Sequence, residues 1–303
     1  MKKILVAVLM AAASFTAFSQ TVISGKGSAW FTRGTFGSQG TNFLYTEPTS
    51  NLAISSTENL GGGLTARAVL ETSIAGNTYG LNDGAGTQIG DRQATVGLSN
   101  KFGSLDIGRN VHSQFLAITS NDAFGTMYGS VAGEIHDLRG LRLSNGMFAT
   151  VQVMPGVKVS YDYSNRDGAF NVTDAKSYAI SASLAGVNGT VARYENGAET
   201  STVVGANAKF GPTTVFYSHS ENDGVLAITK KKGDLIGVTH AIGAFTAKGS
   251  YGKTNKDVTG YSVGLDYALS KRTEIGVAYA KVDPLVPSKN DVSHYGVGLT
   301  HRF

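Results

Sequence analysis

A chain of 303 residues without a cysteine is too long for a disulfide-stapled mini-protein and must hold itself together by backbone pairing and packing. Its net charge of +4 shrinks once Lys2 and Lys3 are assigned to an export leader; basic residues then lead acidic ones by only two, which gives no ground for nucleic-acid binding. With 39 glycines, 13 tyrosines, 14 phenylalanines and a mean hydropathy of −0.05, the chain is neither greasy nor very polar, as expected of a barrel whose two faces meet different solvents.

Residues 1–19 read as a signal peptide. Lys2 and Lys3 supply the positive end, Ile4 to Ala13 a short apolar core, and Ala17-Phe18-Ser19 a small-x-small cleavage site, so a barrel domain is expected over 20–303. The apolar run is too short to cross a bilayer as a helix, and no later stretch reaches 18 apolar residues.

From Thr21 onward the dominant period is two. Leu64, Ala66, Ala68 and Leu70 alternate with Thr65, Arg67, Val69 and Glu71. Tyr261, Val263, Leu265 and Tyr267 alternate with Ser262, Gly264 and Asp266. Tyr295, Val297, Leu299, His301 and Phe303 alternate with His294, Gly296, Gly298, Thr300 and Arg302. Strand side chains point to opposite faces in turn, so each segment has one apolar face and one small or polar face.

A soluble β-sandwich would alternate too, but it has no reason to sort its connections by length. Here short turns at 58–63, 100–104, 154–156, 185–188, 209–212, 241–244 and 269–272 alternate with longer polar stretches at 34–49, 73–90, 111–138, 166–174, 197–200, 223–232, 255–258 and 283–291. Seven short turns between eight longer loops require 16 strands with both chain ends on the short-turn side, the asymmetry of an outer-membrane barrel. The expectation is an all-β protein: a 16-stranded antiparallel transmembrane β-barrel, closed because no sheet edge can stay unpaired in hydrocarbon. Polar residues at inward parity, such as Ser160, Asp162, Asn207, Lys248 and Glu274, suit a wet lumen, and 16 strands leave room for an aqueous channel.

Enzyme-like motifs are weak. Gly260-Tyr261-Ser262-Val263-Gly264 fits the nucleophile-elbow pattern, but alternation runs through Ser262 where an elbow needs a sharp strand-to-helix turn. Gly84-Ala85-Gly86 opens a glycine loop without the sixth-position glycine or following helix of a dinucleotide site. The histidines at 112, 136, 219, 240, 294 and 301 show no metal-ligand spacing, so neither a metal nor a cofactor is expected.

Several stretches carry a family resemblance. They are Val22-Ile23-Ser24-Gly25-Lys26-Gly27, Glu58-Asn59-Leu60-Gly61-Gly62-Gly63-Leu64, Arg92-Gln93-Ala94-Thr95-Val96-Gly97-Leu98-Ser99, Phe102-Gly103-Ser104-Leu105-Asp106-Ile107-Gly108-Arg109-Asn110, and the terminal Gly296-Val297-Gly298-Leu299-Thr300-His301-Arg302-Phe303. In these the chain resembles the trimeric general porins of Gram-negative outer membranes, especially the β-proteobacterial branch; the middle of the chain matches only in rhythm. The resemblance implies a homotrimer set in outer-membrane lipid and lipopolysaccharide, with Phe303 read by the barrel-assembly machinery. It also implies a third loop, here from Arg109-Asn110 to about Asp137, that folds inward and opposes carboxylates to basic side chains on the far wall. Where relatives carry a Pro-Glu-Phe-Gly-Gly-like turn, this chain has Asn121-Asp122-Ala123-Phe124-Gly125.

The expected constriction follows from parity and resemblance together. Lys26 shares its face with Ser24 and Ser28, and a lipid-facing cation at mid-depth would cost about 2–4 kcal/mol. Arg92 and Arg142 match basic positions of the family, Arg67 points inward by parity alone, and Arg139 fits either wall or loop. On the acidic side Asp122, Glu134 and Asp137 are the loop candidates, with Asp106 facing the lumen nearby. Four inward cations against two or three carboxylates imply a mild anion preference. The reading is a passive outer-membrane pore for ions and small hydrophilic solutes. The alternatives are an outer-membrane barrel enzyme, for which 16 strands are too many, and a substrate-specific channel, for which no inward run of aromatics is evident.

Overall fold

The computed structural model describes residues 19–34, 42–74, 89–136, 138, 140–165, 174–197, 199–224, 231–283 and 292–303. Residues 1–18, where the export signal is expected, Asp137, Arg139 and most of the longer loops lie outside these. Among the described residues the chain begins with β1 (Ser19–Gly34), β2 (Asn42–Thr46), β3 (Asn51–Gly61), β4 (Leu64–Ser73), β5 (Gln93–Asn100) and β6 (Gly103–Val111). Two helices follow, α1 (Ser113–Ser120) and α2 (Ala132–His136). The rest is strand: β7 (Arg142–Met154), β8 (Val157–Ser164), β9 (Ala175–Leu184), β10 (Val187–Asn196), β11 (Glu199–Phe210), β12 (Thr213–Asp223), β13 (Lys231–Ile242), β14 (Phe245–Thr254), β15 (Thr259–Ala268), β16 (Thr273–Asp283) and β17 (Val292–Arg302).

Each strand pairs antiparallel with its neighbour, and β1 pairs with β17 from Lys26↔Arg302 to Gly34↔His294, which closes the barrel. Both β2 and β3 lie along β1, β2 against residues 29–33 and β3 against 19–26. They are two halves of one strand, so the wall has 16 staves, as the turn count requires. The break was not expected: the sequence reading leaves 34–49 as one loop, whereas the strand resumes at Asn42 and is interrupted at 47–50. Pro48 accounts for the interruption, since it has no N–H for the ladder.

The short turns fall where expected. Gly62 and Gly63, with φ of 60° and 80°, turn β3 into β4 through left-handed backbone that glycine adopts without strain. The outer face is apolar: Phe31, Ile107, Ile180, Ile236, Val263 and Leu299 stand open, an arrangement that suits a chain solvated by lipid. The hydrophobic core lies inside the barrel, where the third loop packs on the inner wall. Ala117, Ile118, Val131 and Ile135 from the loop meet Ala179, Ala192, Val203 and Leu235 from the strands. Full burial of Ile118 and Ile135 contributes about 1.5–3 kcal/mol each.

Candidate functional site

The third loop leaves β6 and is fastened at once. Asp162 on β8 accepts a hydrogen bond from the Ser113 N–H at 2.6 Å, placing a carboxylate at the positive end of α1. Gln114 donates to Ser201 at 2.8 Å, and His112 stacks on Tyr194 with ring centres 4.7 Å apart. Farther along, Tyr128 stacks on Trp30 at 4.2 Å, which brings the loop across the lumen to β1. The return leg is pinned by His136, whose two ring nitrogens lie 2.9 and 2.8 Å from the hydroxyls of Ser220 and Ser218. Burial pushes the His136 pKa down to about 4, so the ring is neutral at ordinary pH.

Inward glycines make room for this loop. An added Cβ would come within 2.4 Å of Asn121 at Gly205, 2.3 Å of the Ile135 carbonyl at Gly233, and 2.2 Å of the Trp30 ring at Gly298. Gly205 and Gly233 face the loop itself, and Gly298 faces the Trp30 ring on which the loop's Tyr128 stacks.

The expected constriction residues separate into distinct situations. Lys26 is buried in the lumen with its ammonium 2.9 Å from Glu47 and 3.4 Å from the Met127 sulfur. Arg67 forms a bidentate pair with Asp106, reaching across Gly97 on the intervening strand. Arg92 pairs with Glu71 and also donates to the Pro48 carbonyl. Arg142 sits among the charges of Arg92, Arg109, Glu71 and Asp91, where an irregular step between Gly108 and Asn110 interrupts alternation, so parity does not assign its face.

Asp122 behaves unlike a lumen charge. It is 4% exposed and accepts from the N–H groups of Phe124 and Thr126 at 3.2 and 2.7 Å and from the Ser130 hydroxyl at 2.6 Å. Burial raises its pKa, and those hydrogen bonds partly offset the rise. Glu134 is exposed in α2, and its backbone carbonyl takes a hydrogen bond from Lys231 at 2.7 Å. Asp122 and Glu134 are the only carboxylates between residues 111 and 136. The stretch that reaches across the lumen therefore shows uncharged residues, among them Leu116, Ser120 and Met127.

Sequence reasoning missed the partners. Glu71 has the same parity as Arg67, and Lys248 and Asp266, 2.5 Å apart, are both at inward parity, so pairs were there to be found. Glu47 shares the inward parity of Tyr45, but it falls in the stretch 34–49 that reads as a loop. Inward aromatics do occur, but Trp30 and Tyr194 are consumed in stacking on Tyr128 and His112 of the loop, and Phe148 packs among the wall residues Leu143, Ala175 and Tyr194. Ser262 lies mid-strand in β15, its hydroxyl 2.6 Å from that of Ser250 on β14, with no turn around it.

A closed barrel with an apolar outside, a charged inner wall and a loop folded across its interior is a diffusion channel of the outer membrane. Comparison with known proteins agrees. A model of Gram-negative porins matches residues 5–284. Outer membrane porin protein 32 of Delftia acidovorans is 26% identical over a 320-residue alignment, covering 91% of this chain and 88% of that one. The solved anion-selective porin from Comamonas acidovorans has the same fold, with a TM-score of 0.78 at 19% identity over 94% of this chain and all (100%) of that one. OmpT of Vibrio cholerae in its trimer form gives 0.73 at 10% identity over 94% and 99%. The chain belongs to the Gram-negative porin family.

Proposed function

We propose that this porin is a trimeric general pore with a weak anion preference, narrowed by the third loop and lined by Lys26, Arg67, Arg92 and Arg142, with Asp106 their wall-borne counter-charge. The observation that carries the selectivity is unequal exposure within the ion pairs. The Arg67 side chain is 37% exposed against 4% for Asp106, Lys26 is 11% against 4% for Glu47, and Arg302 is 46% against 32% for Glu274. Among the lumen-facing pairs of the described residues, Arg92 alone is slightly less open than its partner, at 12% against 18%. A passing solute thus meets mainly the cationic partner of each pair. The Comamonas relative, an anion-selective porin, supports the same sign.

The expected transverse field is recast in this reading. Each acid sits beside its cation, and Asp122 and Glu134 belong to the loop's own architecture. The test is the zero-current potential across a salt gradient in planar bilayers. Wild type should favour anions, and Lys26→Ala with Arg92→Ala should move the potential toward cations. A cation-selective wild type unaltered by that double change would overturn the assignment.

Support for the trimer comes from the OmpT trimer form and from the outer face of β15, β16, β17 and β1, where a depression of about 890 Å³ is lined by Phe31, Val263, Val277, Tyr295 and Val297. Native mass measurement in detergent should give three chains. On the other side of the barrel, the long-loop ends of β10 to β13 turn Arg193, Glu195, His219, Glu221, Lys232 and Asp234 outward, at the level of lipopolysaccharide headgroups. Phe303 exchanges both of its backbone hydrogen bonds with Gly25 at 3.0 Å and stays half exposed at the short-turn rim, available to an assembly receptor. Removal of residues 1–19 before assembly completes the reading; N-terminal sequencing of the mature protein should begin at Gln20.

A further inference from the structure

The break in the second stave is a junction. Glu47 keeps its backbone N–H on the Ser28 carbonyl at 3.0 Å, and the Ser50 hydroxyl bonds both backbone groups of Ser28, so the break stays sewn to β1 although its ladder is lost. The Glu47 side chain keeps the inward parity of Tyr45, opposite Ser28, and enters the lumen, where it is 4% exposed. One carboxylate oxygen takes Lys26 at 2.9 Å and the Thr49 hydroxyl at 3.1 Å; the other takes the N–H of Tyr128 in the third loop at 3.0 Å. The neighbouring Pro48 carbonyl is held by Arg92, so the same four-residue break touches Lys26 and Arg92, and just past it Asn51 donates to Glu71, the partner of Arg92, at 2.6 Å.

We propose that Glu47 is a specificity-determining and positioning residue: it cancels the charge of Lys26 and latches the tip of the third loop to the wall at Tyr128. This rests on the reading of the lumen as a selective pore. The two roles use different oxygens and separate by substitution. Glu47→Gln removes the charge and keeps an acceptor for Tyr128, whereas Glu47→Ala removes both.

Single channels of Glu47→Gln should shift the zero-current potential toward that of a more anion-selective pore. The shift should shrink between about 0.1 M and about 1 M salt, as screening shortens. In a Lys26→Met background the same Glu47→Gln change should produce little or no shift, because the unmasked cation is gone. Glu47→Ala should add what Glu47→Gln lacks: open-channel flicker and admission of larger neutral polymers, as the loop tip loosens. Reading only inserted channels keeps the result independent of yield. Equal shifts with and without Lys26 would overturn the cancelling role, and identical flicker and polymer cut-off in the Ala and Gln variants would overturn the latch. Wild-type channels that conduct but show no salt-dependent selectivity would sink the broader pore reading instead.

Discussion

The two halves of the inner wall follow different rules. Beneath the third loop, on β9 to β13 and at Gly298 of β17, the inward positions are small: Ser177, Ser201, Ser218 and Ser220 offer hydroxyls, Ala179 and Ala192 offer methyls, and Gly205, Gly233 and Gly298 offer only backbone, while Lys248, Asp266, Glu274 and Arg302 bring charge inward on the remaining positions of β14 to β17. From β1 to β6 they carry charge: Lys26, Arg67, Glu71 and Asp106. The difference lies in what each half faces. The first half is covered by the third loop and is packed like a protein interior, where side-chain volume must fit. The second half faces water, where charge is tolerated and where a passing ion can feel it. A porin lumen is thus half core and half channel.

The most disruptive test enlarges a residue on the covered half. Gly298→Val would drive a side chain into the Trp30 ring, which approaches the ideal Cβ position to 2.2 Å. Overpacking of this kind costs about 1–3 kcal/mol, and here it should also unseat the Trp30–Tyr128 stack. Thermal unfolding in detergent should start earlier, and single channels should conduct more with greater noise. Gly189→Ala, where nothing lies within 4 Å of the added carbon, should stay within about 0.5 kcal/mol of wild type. Equal behaviour of the two variants would mean that the covered half is not packed as described.

On the open half the largest effect should be on selectivity. Asp106→Asn leaves the Arg67 guanidinium uncancelled and should increase anion preference; Arg67→Ala should move it the other way. With Arg67 37% exposed, solvent screening limits the stability contributed by the pair to about 1 kcal/mol. The signature is opposite shifts in reversal potential with small changes in melting. Shifts of the same sign would separate the pair from the conduction path.

How far these halves were legible in sequence follows from the same distinction. Alternation gave the staves, the turns and the parity of Arg67, because lipid on one side demands apolar residues whatever lies on the other. It could not tell a serine that faces water from Ser218, which faces His136, since both read as small and polar. It lost the second stave around Pro48, and with it Glu47, because 34–49 reads as one polar loop, although Glu47 keeps the inward parity of Tyr45. Asp122 was read as a channel charge from loop position, yet its partners are three donors within eight residues of itself, a local turn chemistry that resemblance does not report.

A smaller, pH-dependent effect is expected at the loop's return leg. The His136 pKa falls from 6.5 to about 4 through burial, with Lys231 and His219 also opposing a proton and Asp234 favouring one. A base with a depressed folded-state pKa contributes full stability above its ordinary pKa. That stability declines as pH falls from about 6.5 to about 4, where the displaced loop takes up a proton that the seated loop refuses. Channel flicker should therefore rise over that window and level off below it. His136→Gln, neutral throughout, should remove the dependence, and a variant that keeps the same pH profile would place the titrating group elsewhere.

The loop's two carboxylates should differ, and the smallest effect of all belongs to Glu134. Asp122 is buried with three donors aimed at it, so Asp122→Ala strands two backbone N–H groups and a hydroxyl. The cost of unsatisfied buried groups is about 1–3 kcal/mol, and it should be seen as a looser loop with reversal potential almost unchanged. Glu134 is exposed, and its contact with Lys231 runs through its backbone carbonyl, which no substitution removes. Glu134→Gln should then alter neither melting nor flicker, and should alter selectivity only to the extent that one exposed charge is felt through screened solvent. If instead Glu134→Gln shifts the reversal potential as much as Asp106→Asn does, the third loop contributes to the field after all, and the boundary between core and channel must be drawn on its far side.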